Sequence, residues 1–408
     1  MTLCWARPIT FVNARVVSPD GLADTMRFRS RILSLGEHPG HSDTVIDLAG
    51  AFVLPGLINA HDHLELNHYG RQKGRDQYRN ASEWIGDMAN RIAGDPDIRA
   101  GQRHPLSARL FIGALKNVLA GVTTIAHHNP FYRELRARLP VRVLRRYGWA
   151  HSFLLERSPA GARGELGGDI ARRFRSTPAS APFMVHLAEG IDDEARDELA
   201  RLDALGCLAK NTLLIHGVAI DDEANRRVTA TGAGVVWCPS SNDFLFRRTA
   251  PVRAWLDAGP DRRVSVALGT DSRLTGTRDL LDELRAARAA VRVEAQELLT
   301  MVTTSAARLL RLPGATGLTV GAPADLIVIP SGNADPAEAL LDTRRSDVVL
   351  VAVGGVPVTG APTLSTVFSA RRVATRRIRL DGVERLADAR LATAIARCPI
   401  AEPGVACV

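Results

Sequence analysis

The chain has 408 residues, 46% hydrophobic and 24% charged, a composition typical of a soluble globular protein. This length suffices for one large barrel and a smaller second domain, and no apolar run reaches the length of a membrane span. The net charge of +8 comes almost entirely from arginines spread along the chain, which argues against a nucleic-acid or membrane partner. The first residues lack the pattern of a signal peptide, and the five cysteines have no motif spacing. We therefore expect a cytoplasmic protein, with a homodimer as one option.

Short β-type segments near both ends of the chain predict one small β-domain that brackets the middle. These segments are Ile9–Val12, Arg15–Val17, Arg31–Leu35, Gly321–Ile329, Val348–Val353 and Gly354–Val358. We expect residues 1–54 and 313–408 to form a β-sandwich from both chain ends. The tail, at about Gly382–Cys398, has helical spacing and predicts a C-terminal helix.

Between these ends, β-type runs alternate with helical patterns, which is the signature of βα units and a parallel sheet. The helical stretches are Ser107–Ala120, Asp192–Gly206, Asp221–Gly232, Asp279–Arg292 and Ala295–Arg311. The apolar runs end in polar residues at His63, His128, His186, His216, Asn242 and Asp271. Polar groups at the C-terminal ends of parallel strands are typical of a (β/α)8 TIM barrel, so we predict an α/β fold with this barrel at residues 55–312.

The segment Pro55–His63 reads as a buried strand that ends in two histidines. Because alternate residues of a strand face the same side, His61 and His63 converge on one point. The intervening Asp62 points away and is expected to be structural. Two converging imidazoles suit a metal such as Zn²⁺, although such a pair alone is equally compatible with polar packing.

Three later strand ends supply further groups that can bind a metal: His186, His216 and Asp271. Each follows four or more apolar or small residues, which predicts burial at the end of a strand. A single buried histidine is more often a hydrogen-bonded core residue, but the whole set in one βα series favours a metal site. Buried Asp271 also needs a partner, because an unpaired carboxylate in such a place is costly.

With these residues the chain resembles the amidohydrolase superfamily, and within it the deaminase-like branch. That branch includes adenosine-type, S-adenosylhomocysteine-type, guanine and cytosine deaminases and the triazine chlorohydrolases. The motifs that carry the resemblance are Pro55–His63, Gly121–Thr124, His186–Glu189, His216, Cys238–Asn242, Gly269–Asp271 and Gly317–Leu326.

The resemblance implies one divalent metal bound by His61, His63, His186 and Asp271. It also implies that His216 orients the water that attacks, or the developing oxyanion. Three histidines and an aspartate suit Zn²⁺ best, with Fe²⁺ or Mn²⁺ as alternatives. None of the three lysines ends a barrel strand, so the carbamylated lysine that bridges two metals in the hydantoinase and urease-like branch has no counterpart. A mononuclear site is therefore favoured.

A second departure concerns the segment between Trp149 and Pro182, where relatives usually fit another full βα unit. Val141–Leu144 and Tyr147–His151 read as strands 3 and 4 with little between them. We expect the barrel to be compressed there.

Glu189 follows His186 by three residues, so it reaches the site only if the chain turns after the strand. The alternative is an ordinary glutamate at the N-terminus of the next helix. The resemblance favours a proton shuttle, in which Glu189 protonates a ring nitrogen of the substrate. Asp271 would then take the proton of the attacking water, while His216 holds the hydroxide. The predicted activity is that of an aminohydrolase, or deaminase, of a heteroaromatic or nucleobase-like small molecule.

The candidate substrate-binding residues are Glu65, Asn67, His68, Trp84, His127, His128, His151 and Asn242. For the loop at Glu65–His68, a solvated role is an equal alternative. One of His127 and His128 is expected to face the pocket, while the other packs or supports a metal ligand.

The same motifs are also compatible with alternatives to deamination. The same metal site serves an amidohydrolase that opens an amide or cyclic C–N bond, or a chlorohydrolase that displaces an aryl halide, and the sequence does not separate these reactions from deamination. A non-catalytic relative that has lost its metal is disfavoured, since every ligand position is filled.

Overall fold

A computed structural model of the chain describes residues 7–153, 168–259, 263–314, 317–332 and 334–408. Residues 1–6, which include Cys4, lie outside this description. Within it, no helix is both long and apolar enough to cross a membrane. The four cysteines in the described ranges are free thiols.

The strands are β1 (Ile9–Val12), β2 (Arg15–Ser18), β3 (Gly21–Ala23), β4 (Met26–Phe28), β5 (Ile32–Leu35), β6 (Thr44–Asp47), β7 (Phe52–Pro55), β8 (Leu57–Asp62), β9 (Val122–His127), β10 (Arg142–Val143), β11 (Gly148–Ala150), β12 (Phe183–Leu187), β13 (Thr212–His216), β14 (Gly234–Trp237), β15 (Ser265–Leu268), β16 (Leu326–Ile329), β17 (Leu350–Val353), β18 (Val356–Gly360), β19 (Thr375–Leu380), β20 (Val383–Asp388) and β21 (Val405–Cys407).

The α-helices are α1 (Ala81–Gly94), α2 (Pro96–Gln102), α3 (Leu106–Leu119), α4 (Gly168–Ser176), α5 (Asp193–Ala204), α6 (Asp222–Thr231), α7 (Pro239–Phe246), α8 (Val252–Asp257), α9 (Leu280–Ala290), α10 (Ala295–Met301), α11 (Thr304–Leu309), α12 (Pro336–Asp342), α13 (Ser365–Ala370) and α14 (Ala389–Arg397).

Strands β8 to β15 form two parallel sheets, as the alternation of strand and helix patterns predicted. One has the order β10-β9-β8 and the other the order β11-β12-β13-β14-β15. Strands β8, β9, β12, β13 and β14 are buried along their whole length, which explains why they read as continuous apolar runs.

The first and last of these strands are joined by backbone hydrogen bonds at their C-terminal ends. The carbonyl oxygen of His61 accepts from the N–H groups of Thr270 (3.0 Å) and Asp271 (3.1 Å). The N–H of His63 donates to the carbonyl of Asp271 over 3.1 Å. The two segments with the strongest metal-binding motifs therefore lie side by side.

Strands β10 and β11 are short, and only residues 144–147 separate them. No helix connects these two strands, which agrees with the prediction that little of the chain lies between them. Residues 154–167, within the segment between Trp149 and Pro182, lie outside the described residues.

The predicted helices after β12 and β13 are confirmed, and each begins after an aspartate N-cap. The carboxylate of Asp192 accepts from Ala195 N–H at the start of α5, and that of Asp221 accepts from Ala224 N–H at the start of α6. The predicted single helix over 295–311 is instead two helices, α10 and α11. It breaks at Val302, whose carbonyl oxygen accepts from Ile58 N–H over 2.8 Å and thereby ties the break to β8.

Both chain ends meet in one nine-stranded sheet with the order β21-β19-β20-β18-β17-β16-β7-β2-β3. N-terminal β7 pairs antiparallel with C-terminal β16, as the prediction of a shared β-domain requires. A second sheet has the order β5-β4-β1-β6. One hydrophobic cluster contains residues of both sheets, such as Phe11, Phe28, Val328 and Leu350.

The helix predicted over 382–398 is only half correct. Residues 383–388 form strand β20, which pairs with β19, and helix α14 begins at Ala389. Asp381 and Gly382, with φ of 48° and 87°, form the two-residue loop of this hairpin. An Asp-Gly pair between β-type runs is a strong hairpin signal, and it competes here with the helical spacing.

Candidate metal centre

The metal ligands expected from the sequence meet at the C-terminal ends of the parallel strands. His61 lies in β8 and His186 in β12, His63 directly follows β8, and Asp271 lies three residues after the end of β15. His216, expected to orient the attacking water, lies at the end of β13. All are buried except His63, whose side chain keeps 12% of its accessible surface.

Ring nitrogens and one carboxylate oxygen of this set face a common point. His63 Nε2 lies 3.3 Å from His186 Nε2. Asp271 Oδ1 lies 3.9 Å from His61 Nε2 and 3.8 Å from His63 Nε2. These separations suit atoms that share one metal ion, because each ligand atom would lie about 2 Å from the metal.

The chemistry of these atoms fits a bound cation. His61 Nε2 is buried and has no hydrogen-bond partner among the described residues. Burial, followed by the other histidines nearby, lowers the pKa of His61 and of His186 well below the usual value. Both rings are therefore neutral at pH 7, and a neutral imidazole with a bare nitrogen is what a metal requires.

Asp271 is held in place by two hydroxyl groups. Its Oδ2 accepts from Ser241 Oγ (2.7 Å) and from Thr275 Oγ1 (2.6 Å), which leaves Oδ1 facing the histidines. The backbone of Asp271 is left-handed, with φ of 55°, a strained conformation that is common at functional sites. The sequence reading quoted the motif of Ser241 but assigned neither hydroxyl a role.

Glu189 reaches the site because the chain turns after β12. The turn is at Ala188, whose φ is 53°, and it brings Glu189 Oε1 within 3.4 Å of His216 Nε2. Burial, with a contribution from the negative charge of Asp271, raises the pKa of Glu189 well above its usual value. The carboxyl group is thus biased toward its protonated form, which is able to donate a proton.

The position of the proton on the His216 ring follows from the contact of this ring with Asn242. Its Nδ1 lies 2.8 Å from Asn242 Oδ1, an acceptor, so Nδ1 carries the proton and Nε2 is bare. Burial lowers the pKa of His216, so the ring is neutral. Asn242 was expected to contact substrate, but it is fully buried and its oxygen is used by His216.

His128, directly after β9, lies inside the histidine cluster. Its ring is stacked on that of His186, with centroids 4.2 Å apart and planes 6° apart. Its Nε2 lies 2.9 Å from Ala150 O and its Nδ1 lies 3.3 Å from His61 Nδ1. His127 points elsewhere, with Nδ1 3.7 Å from Glu65 Oε2.

Glu65 lies beside the cluster rather than in a solvated loop, and it is 6% exposed. Its Oε1 accepts from Asn129 Nδ2 and, over 3.3 Å, from Tyr132 Oη. The same Asn129 amide lies 3.3 Å from His63 Nδ1. Glu65 is therefore linked to a candidate metal ligand through Asn129.

Asn67 belongs to a buried polar network and also lines a pocket together with His68 and Arg71. Its amide donates to Asp62 Oδ1 over 2.7 Å, and its oxygen accepts from Lys116 Nζ over 2.6 Å. Lys116 Nζ also lies 3.1 Å from Asp62 Oδ2, and both of these side chains are fully buried. The prediction that Asp62 is structural is confirmed, whereas the buried ion pair with Lys116 was not anticipated.

The remaining candidates lie at the border of the cluster or outside it. The ring of His68 contacts Tyr69 and His104, and Trp84 Nε1 donates to Gln72 O over 2.9 Å. His151 packs edge-on against Trp149, with centroids 5.0 Å apart. Trp149 in turn lies 6.2 Å from His128.

Comparison with known proteins agrees with this geometry. A family model described as "Amidohydrolase family" matches residues 181–360. A 5-methylthioadenosine/S-adenosylhomocysteine deaminase from Halobacterium salinarum is 29% identical over 364 residues, which cover 76% of this chain and 80% of the relative.

Two solved structures share the fold. Zinc-complexed atrazine chlorohydrolase from Arthrobacter aurescens is 20% identical, with a TM-score of 0.69 over 89% of this chain and 99% of the other. An adenosine deaminase from Xanthomonas campestris with bound zinc is 18% identical, with a TM-score of 0.61 over 89% of this chain and 97% of the other. The motifs, the family match over residues 181–360 and the relatives together make the chain similar to deaminase-like amidohydrolases, and they support a metal-dependent hydrolase of carbon–nitrogen bonds.

Proposed function

We propose that this protein is an aminohydrolase that replaces the amino group of a heteroaromatic ring by oxygen and releases ammonia. The observation that carries the proposal is the pair formed by Glu189 and His216 at the edge of the histidine cluster. A protonated carboxyl group beside a neutral imidazole with a bare Nε2 is suited to acid–base work on a ring nitrogen.

The proposed substrate class is a 6-aminopurine nucleoside. It is favoured by the name of the Halobacterium relative, a deaminase of methylthioadenosine and S-adenosylhomocysteine. The name of 5'-deoxyadenosine deaminase from Methanoregula boonei, which is 26% identical over 371 residues, favours the same class.

We propose His61, His63, His186 and Asp271 as the ligands of one divalent metal, with Zn²⁺ preferred and Fe²⁺ or Mn²⁺ as alternatives. When bound there, the metal supplies hydroxide from water at neutral pH. The buried Nε2 atom of His61, which has no hydrogen-bond partner among the described residues, supports this assignment.

Glu189, Asp271 and His216 would each have a separate role in moving or holding protons. Glu189 gives its proton to the ring nitrogen next to the carbon under attack, which makes that carbon more electrophilic. Asp271 takes the proton of the attacking water, while His216 Nε2 accepts a hydrogen bond from that water. Asp271 passes this proton to the amino group, which leaves as ammonia, and the proton of the added hydroxyl group returns to Glu189, so that the ring keeps a carbonyl oxygen. The overall change is the addition of one water and the loss of one ammonia.

We propose that the two parallel sheets form one (β/α)8 barrel at residues 55–312, and that residues 1–54 and 313–408 form a β-sandwich beside it. The hydrogen bonds between β8 and the segment after β15 support closure of the barrel. The hydrophobic cluster shared by the two other sheets supports the sandwich. A cytoplasmic location, a small-molecule substrate and either a monomer or a homodimer complete the proposal.

The test is ammonia release by the zinc-loaded protein from a panel of methylthioadenosine, S-adenosylhomocysteine, adenosine, guanine and cytosine, with atrazine added. Ammonia from the adenosine compounds supports the proposal, and ammonia from guanine or cytosine alone overturns its substrate class. Chloride release from atrazine without ammonia from any amino compound would favour the chlorohydrolase reading instead.

A further inference from the structure

His128 contacts two of the proposed metal ligands without being one of the residues that the family motifs assign. Its ring is fully buried, stacks on His186 and touches His61 through Nδ1. Neither the chemistry of the proposed reaction nor the proposed ligand set uses this histidine. Its hydrogen bonds, however, determine which ring nitrogen of His61 carries the proton.

The proton on His128 is located by its contact with the backbone. The carbonyl oxygen of Ala150 can only accept, so the Nε2 atom of His128 at 2.9 Å must donate. Among the described residues no carboxylate contacts the His128 ring, and a buried, unpaired charge is costly. A neutral ring that carries its proton on Nε2 has a bare Nδ1.

The bare Nδ1 then determines the tautomer of His61. The two Nδ1 atoms lie 3.3 Å apart, and only a proton between them converts repulsion into a hydrogen bond. Since His128 does not supply it, His61 must carry the proton on Nδ1. Its Nε2 is consequently bare, and this is the buried atom without a hydrogen-bond partner that faces Asp271.

We propose that His128 is a positioning residue that fixes the tautomer and ring orientation of His61 through the chain Ala150 carbonyl–His128–His61. In this way the Nε2 atom of His61 is presented to the metal before the metal arrives. Partners of this kind that orient a ligand are commonly carbonyl or carboxylate oxygens, whereas here an imidazole is interposed. The inference rests on the metal site of the proposed function.

His128 is not itself the ligand in this arrangement, because both of its nitrogens are already used. A direct role is nevertheless a distinct outcome, since His61, His128 and His186 have nitrogen atoms within 4.8 Å of one another. The test must therefore separate positioning from ligation.

The experiment measures zinc affinity by competition with a chelator for the wild type, His128→Gln and His128→Phe, with His104→Phe as a control outside the cluster. Gln keeps an oxygen that accepts from His61 and an amide that donates to Ala150, so its affinity should stay within a few-fold of wild type. Phe keeps the stacking but neither hydrogen bond, so the affinity should fall about 10- to 100-fold. Unchanged affinity in His128→Phe would overturn the inference.

Two further readouts keep the result interpretable. X-ray absorption of the zinc-loaded proteins should show the same number of imidazole ligands in the wild type and in His128→Gln. The loss of one imidazole would identify His128 as a ligand and overturn the positioning role.

Nitrogen-15 NMR of the metal-free wild type should show the proton of His61 on Nδ1, and a proton on Nε2 would overturn the inference even if the variants do not fold. A wild type that binds no zinc would instead contradict the proposed function, while the NMR result still decides the tautomer.

Discussion

Glu189 Oε1 lies 3.4 Å from His216 Nε2, although the two residues come from the ends of different strands. The contact depends on left-handed backbone at Ala188 (φ 53°) and at His216 itself (φ 76°). Two strained positions in one small region are maintained by the surrounding structure, which is expected where the geometry serves a reaction.

Replacing Glu189 by Gln should abolish turnover while zinc is retained. The amide preserves the shape of the side chain but has no acidic proton to give, so kcat should fall about 10²- to 10⁴-fold. Ammonia release and zinc content would be measured on the same preparation. Glu223→Gln, an exposed glutamate on α6, makes the same chemical change and should leave both unchanged. A Glu189→Gln protein with more than about a tenth of wild-type activity would refute the assigned role.

The pH dependence of kcat/KM should show a loss of activity on the alkaline side that belongs to Glu189. Burial raises the pKa of this carboxyl group, so it keeps its proton at pH values where an exposed glutamate is ionised. As the pH rises through the raised pKa, the proton is lost and the acid is no longer available. The small residual rate of Glu189→Gln should lack this limb, and its persistence in that variant would assign the limb to another group.

Replacing Lys116 by Met should destabilise the fold strongly. The substitution leaves the carboxylate of Asp62 buried without its cation, and breaking such a pair costs about 3–5 kcal/mol in the free energy of unfolding. Urea denaturation would measure the change. The control is Glu223→Gln, which breaks the exposed pair with Arg227 and should cost less than about 1 kcal/mol. Equal costs for the two variants would show that the buried pair contributes no more than the surface pair.

Replacing Glu402 by Ala should loosen both the C-terminal segment and the loop after Asp271. The carboxylate of Glu402 accepts from Arg273 (2.6 and 2.8 Å) and from Arg345 (2.6 Å), and all three side chains are buried. Its removal leaves two guanidinium groups poorly paired, at a cost of about 3–5 kcal/mol. Because Arg273 is two residues from Asp271, we also expect a lower kcat/KM.

Thermal unfolding and steady-state kinetics would test the role of Glu402. Glu384→Gln, at the exposed pair with Arg377, is the matched control. A Glu402→Ala protein that unfolds at the wild-type temperature would contradict the prediction that the ion pairs of Glu402 stabilise the C-terminal segment.

Much of the site could be predicted because its residues end buried strands. Parallel strands buried on both faces have continuous apolar sequences, so each polar residue that ends such a run is conspicuous, as for His186 and His216. The turn that Glu189 requires could be stated as a condition, but the left-handed backbone at Ala188 could not be derived, since alanine does not signal it.

The contacts that could not be predicted from the sequence are long-range. Asn67 looked like a loop residue near substrate, yet its amide is used by Asp62 and by Lys116, a residue 49 positions away in the chain. Similarly, the partner of Asn242 is His216, on a neighbouring strand. Only the hairpin at Asp381 and Gly382 had a local signal that the sequence reading overlooked.

The most direct test of the central claim is the metal content of the purified protein. The account predicts about one equivalent of zinc, iron or manganese per chain, held by the wild type and by Glu189→Gln, and lost when His186 is replaced by Ala. A wild type without bound divalent metal after growth with these metals, or one with two ions per chain, would contradict it.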